Sequence, residues 1–202
     1  VSASDNVSPW PSQIPAGSLI AVAPPATGKS SLLVAQLVAA GLPPERTLAR
    51  DEVRAALGDN FDQGAPSIPP PARGAFETVV TAQIDEIAAA YLASGQTWFY
   101  DQTGCNGICL GEEVVRAHAH DLAAVALRRR GNDGSPDVTL EFALANDAAR
   151  RRHVPVEVIT FLHARYAALS VAVLYDLGFD LVLEWDQCSV LPPVQVARLD
   201  QA

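Results

Sequence analysis

Of the fourteen Lys and Arg residues in the chain only one is a lysine, Lys29, and it stands in the run Gly28-Lys29-Ser30. An ammonium is a compact point charge, whereas a guanidinium is a planar fork. A chain that uses arginine everywhere else and keeps lysine here points to a place where the planar group does not fit. A loop of backbone N–H groups wrapped around a phosphate is such a place. The stretch Ala23-Pro24-Pro25-Ala26-Thr27-Gly28-Lys29-Ser30 follows the phosphate-loop (P-loop) pattern G-x-x-x-x-G-K-[ST], with Ala23 in place of the first glycine. In that pattern the N–H groups of Ala26, Thr27, Gly28, Lys29 and Ser30 cradle the phosphates of a nucleotide, with Ser31 following on the helix. Lys29 reaches the β- and γ-phosphates of ATP, and the Ser30 hydroxyl holds Mg²⁺. Pro24 and Pro25 donate no N–H, so the cradle falls on the later residues.

Three further groups decide what the phosphate is transferred to. Asp51 and Arg54, three apart, share a face of the helix they open. A carboxylate there can take a proton from an attacking hydroxyl. The arginine beside it can hold an anionic acceptor. The plainer reading is a helix-capping Asp with a surface Arg. Asp101 closes the run Thr97-Trp98-Phe99-Tyr100-Asp101, and a carboxylate at the carboxyl end of a strand faces the ligand crevice. It can position the acceptor or Arg54, act near Mg²⁺, or simply form a turn. Asn146 followed by Arg150, Arg151 and Arg152 reads as a lid whose arginine neutralises the transferring phosphoryl, or as a solvated basic helix end.

These groups need a scaffold, and its pattern is legible. Apolar runs at 19–22, 97–101, 122–127 and 179–186 read as buried strands, with a weak strand at 47–50. Helical spacing is predicted from Lys29 to about Ala40, from Asp51 to Leu57, along 75–94, over 112–120, over 137–151 and over 155–175. The alternation predicts an α/β domain with a parallel sheet flanked by helices, a P-loop NTPase or kinase-like architecture with a small helical lid around 137–155. Residues 1–17 read as a loose arm and 18–202 as one domain. The absence of methionine suggests that the natural start of the chain is missing.

Composition narrows the classes. A formal charge of −9 argues against broad nucleic-acid binding, although Arg128-Arg129-Arg130 and Arg150-Arg151-Arg152-His153 are local basic clusters. Arg128–Arg130 reads equally as a nucleotide contact and as a solvated loop. No run of about 20 apolar residues predicts a membrane span. Cys105, Cys109 and Cys188 lack zinc spacing and read as small, partly buried residues. An odd count without a signal peptide predicts a reduced cytoplasmic setting. His118 and His120 have no metal partner, His163 reads as packing, and His153 is a lesser candidate for a phosphate contact.

Taken in order, P-loop, D-x-x-R, D-x-T and an N-x-x-x-x-x-R-x-V-P segment, the chain from about 18 to 186 resembles the 5′-hydroxyl polynucleotide kinases of phage and bacterial end-healing enzymes. The resemblance implies that Lys29 and Ser30 bind ATP and Mg²⁺, that Asp51 is the general base, and that Arg54 holds the acceptor. It also implies that one arginine of 150–152 contacts the phosphates: Arg152 in ungapped register, Arg150 after a shift of one. Asp101 matches the acidic residue of D-x-T-N. The chain departs from the family at Gly104, where Asn is usual (Asn106 lies nearby), and at Ala145 and Ala149, where Arg is common. Three functions are therefore carried forward. They are a kinase for the 5′-OH of RNA or DNA, a P-loop kinase for a small hydroxylated metabolite, nucleoside or antibiotic, and a non-catalytic nucleotide-binding module.

Overall fold

The computed structural model describes residues 17–59, 70–150 and 153–188. Strand β1, Gly17–Val22, is buried along its whole length. That burial is what the apolar run Leu19 to Val22 demands of a strand covered on both faces. It lies at the centre of a five-stranded sheet with β2 (Thr47–Ala49), β3 (Trp98–Asp101), β4 (Ala123–Arg129) and β5 (Leu181–Trp185), in the order β2-β3-β1-β4-β5. Every pairing is parallel. The chain thus has the expected α/β architecture, with all five strand carboxyl ends on one edge.

Successive residues of β1 serve opposite faces. Leu19 and Ala21 pack with Leu33, Leu37, Phe99, Leu127 and Trp185. Ile20 and Val22 pack with Val80, Ile84, Leu110, Tyr166 and Leu174. The first face is covered by α1, which opens as a π-helical turn over Lys29–Leu33 and continues as α-helix over Val34–Ala39. The second is covered by α3 (Pro70–Ala93) and α4 (Gly107–His118), with α6 (Val156–Ala167) and α7 (Val171–Asp176) beyond. Two more helices, α2 (Arg50–Ala56) and α5 (Leu140–Ala148), stand at the strand carboxyl ends.

Several boundaries differ from the sequence reading. The helix expected over 155–175 is two helices, because Ser170 caps α7 by accepting a hydrogen bond from the Val173 N–H. Helix α4 begins at Gly107, where the Asn106 side chain accepts from the Ile108 N–H. Asp51 does not cap α2: the cap position is Ala49, and Asp51 lies in the first turn. Of the cysteines only Cys105 is buried. His118 pairs with Asp180 at 2.9 Å, and His163 bonds the Val138 carbonyl at 2.8 Å. Among the described residues no group of three His, Cys, Asp or Glu could hold a metal ion, and no helix is long and apolar enough to cross a membrane.

Candidate active site

Where β1 gives way to α1 the backbone turns sharply. Ala26 has φ 59° and Gly28 φ 94°, both left-handed. Alternation of this kind aims successive N–H groups into one concavity. Gly28 is favoured by its φ of 94°, which L side chains rarely adopt; a Cβ there would also meet the movable tip of Leu32 at 2.8 Å. The loop is braced by its own side chains. Thr27 is buried and its hydroxyl donates to the Pro24 carbonyl at 2.8 Å. Lys29 Nζ folds back onto the same carbonyl at 3.0 Å. The helix is not capped by any side chain at Gly28. A hydrogen-bonded turn at Pro25–Ala26 leads into the helix, whose first N–H groups, from Gly28 to Ser31, have no side-chain cap. N–H groups at such an uncapped helix start form a ready anion site.

The loop forms one wall of a cleft of about 1400 Å³. Ala26, Thr27, Gly28, Lys29, Ser30 and Ser31 all line it. So do Asp51, Arg54, Asp101 and Arg150, contributed by α2, β3 and the turn after α5. The phosphate-loop residues, Asp51, Arg54, Asp101 and Arg150 therefore all line one cleft. Arg152, the other lid candidate, lies outside the described residues.

Asp101 is 7% exposed at the tip of β3. Burial pushes its carboxyl above the ordinary range, against the opposing pull of Lys29 and a hydrogen bond from Ser30. Burial likewise lowers the Lys29 pKa, with Asp101 as the chief counterweight. A hydroxyl and a carboxylate side by side, both oxygen donors, suit Mg²⁺ with its preference for few protein ligands and several waters. Ser30 and Asp101 would hold the ion there.

Asp51 stands across the cleft with its side chain 59% exposed, and accepts a 2.6 Å hydrogen bond from Arg54. Arg54 is not displayed to the cleft as a lone cation. Its Nε and second amino group grip both oxygens of Glu77, on α3, at 3.0 and 2.9 Å. Arg50 and Arg73 reach the same carboxylate at 3.1 and 3.0 Å, and Arg73 also binds the buried Asp59 at 2.6 Å. Burial alone would raise the Glu77 pKa; Arg54 and Arg50 outweigh it and hold the carboxyl down to about 2. The sequence gives no warning of this cluster. Arg73 and Glu77 are a visible i,i+4 pair, but nothing in either segment announces that α3 lies against α2.

The reading of Arg128–Arg130 as a solvated loop is corrected. Arg128 and Arg129 are buried. Arg128 donates to the Leu169 and Pro136 carbonyls and pairs with Asp137 and Glu184. Arg129 does not line the cleft but backs the loop, donating to the Thr27 and Trp185 carbonyls at 3.3 Å each. Its guanidinium lies 4.8 Å from the Trp185 ring centre and 5.6 Å from that of Phe142. His153 bonds Asp147 rather than facing the cleft. Asn106 is no substitute for the Asn of D-x-T-N, since it caps α4 and accepts from Arg165 at 3.1 Å. Gly104 has its own reason: at φ 57° a Cβ would sit 1.8 Å from the Ala21 carbonyl oxygen.

No family model and no curated protein matches the chain. Among solved structures it is similar to a candidate kinase from Chloroflexus aurantiacus j-10-fl. Identity is 20%, 92% of this chain and 82% of that one are covered, and the TM-score is 0.44.

Proposed function

We propose that the chain is an ATP-dependent kinase that moves the γ-phosphate to a hydroxyl. One observation carries the reading: the loop of residues 26–31, turned by the left-handed Ala26 and Gly28, lines one cleft together with the Ser30–Asp101 pair and Asp51. The amides and Lys29 would hold the triphosphate, and Ser30 with Asp101 would hold Mg²⁺, which would supply charge neutralisation when bound. The acceptor hydroxyl lies between the γ-phosphate and Asp51. As its oxygen forms the new bond to phosphorus, the bond to the ADP oxygen breaks and the hydroxyl proton passes to an Asp51 oxygen. Arg54 fixes the direction of that carboxylate. Arg150, on the cleft wall after α5, adds positive charge where the phosphoryl passes, the role of an arginine finger supplied in cis. The turn bearing it is tied down by the buried Asp147, which accepts from the Val154 N–H at 3.1 Å. In this reading residues 137–155 act as the lid of a single domain.

The 5′-OH end of RNA or DNA, implied by the family resemblance, is one acceptor of the required kind. A small hydroxylated metabolite, nucleoside or antibiotic is the other. Transfer of labelled γ-phosphate to a panel of both tests the reading. Asp51→Asn should retain ATP binding and lose about 10²-fold or more in transfer rate. Lys29→Ala should lose both. Undiminished ATP affinity in Lys29→Ala would sink the phosphate-loop assignment, and full turnover in Asp51→Asn would remove Asp51 from the chemistry. Binding without transfer to any acceptor would favour a nucleotide-binding module.

A further inference from the structure

The acceptor side of the cleft is crowded with negative charge. Asp51, Glu52 and Asp59 line it, and Glu77 stands behind Arg54. Against these four carboxylates stand three guanidiniums, those of Arg50, Arg54 and Arg73, while Lys29 and Arg150 lie with Asp101 on the phosphate side. All three guanidiniums are engaged by carboxylates, and Arg54 is engaged at three of its nitrogens. A phosphate arriving at Arg54 would have to displace Glu77 from a bidentate pair, the strongest geometry open to these groups. It would do so beside Asp51 and Glu52, whose charge repels it. A polynucleotide needs the opposite arrangement, a basic track along its backbone.

We propose that this cleft selects a small, uncharged or cationic alcohol as phosphate acceptor, and that Glu77 is the specificity-determining residue, holding Arg54 away from anions. The inference rests on the kinase reading and narrows its acceptor. Glu77 touches no reacting atom. It acts by keeping Arg54 on Asp51, so that the arginine orients the base instead of anchoring a substrate phosphate. A neutral polyol loses nothing to the surrounding carboxylates, and an amino-alcohol gains from them.

The test is the affinity of a fluorescent 5′-OH hexanucleotide for wild type, Glu77→Gln and the double variant Glu77→Gln/Arg54→Gln, by anisotropy at low and moderate salt. Gln keeps the shape of Glu77 and removes its charge. Glu77→Gln should bind the hexanucleotide roughly tenfold or more tightly than wild type, with a steeper salt dependence, and the double variant should lose the gain. Glu77→Gln binding no more tightly than wild type overturns the gating role. In parallel, transfer from labelled ATP by wild type is compared between the hexanucleotide and a panel of nucleosides, polyols and aminoglycosides. Preferential labelling of the hexanucleotide overturns the acceptor class, and labelling confined to the uncharged or cationic alcohols upholds it. Circular dichroism melts of each variant, with Glu77→Ala as a second truncation, separate gating from misfolding. ATP binding that survives Lys29→Ala would fault the kinase reading instead of this one.

Discussion

Arg129 is a charge placed where water cannot reach it, 0% exposed, with carbonyl oxygens and ring faces as its company. Burial pulls its pKa down, against the opposing effects of Tyr166 and Asp186. Isolated buried charges are costly, and an apolar replacement would also take the donor from the Thr27 and Trp185 carbonyls. What such a replacement removes here is positive potential behind Thr27. At about 10 Å and an effective dielectric of ~20, each phosphate charge feels on the order of 1–2 kcal/mol. Arg129→Met should therefore weaken ATP by roughly tenfold or more, ADP by less and adenosine hardly at all. Arg129→Lys should restore much of the loss. Calorimetric titration with the three ligands checks it, since a purely structural defect would weaken all three alike.

At the scale of elements, the cleft depends on how closely the β3–α4 turn meets β1. Thr103 accepts from the Ala23 N–H at 3.3 Å, and Cys105 Sγ donates to the Ala23 carbonyl at 3.4 Å. Gly104→Ala would drive a methyl into the Ala21 carbonyl and part the two segments. A loss of about 3 kcal/mol or more is expected, read from urea unfolding, together with weaker ATP binding. This contact also shows why parts of the fold were illegible. β1, β3 and the loop between β1 and α1 are written in short local patterns, and the sequence reading found them. Gly104 looked like a departure from a motif because its constraint comes from a strand eighty residues earlier. The Ser170 break is hidden because apolar spacing runs on through it, and only the cap reveals it. Candidate residues on the cleft rim were recognisable from type and order. Glu77 and Arg129 were not, since their meaning depends on partners brought near only by tertiary packing.

For the molecule as a whole, the acidic balance, with a net charge of −9, makes low pH the informative axis. Glu77 is ionised in the fold down to about pH 2, against an ordinary 4.5. A carboxyl with a lowered folded pKa gives stability that is complete above its unfolded value and is lost as pH falls through the folded one. The Arg54–Glu77–Arg50 cluster should thus lose its contribution between about pH 4.5 and 2. Wild type should show a falling midpoint in chemical unfolding over that window, and Glu77→Gln a shallower fall. Equal slopes would show that the cluster adds nothing to stability.

The solitary amine noted at the outset has a chemical consequence. Lys29 carries the only side-chain ammonium of the chain, it sits in the cleft, and burial favours its neutral, nucleophilic form. Acylating reagents that would scatter over most proteins have one side-chain target here, at the heart of the candidate nucleotide site. The fold has in effect built a single-address handle for covalent probes, and occupancy of the cleft can be followed by how far a nucleotide shields that one nitrogen.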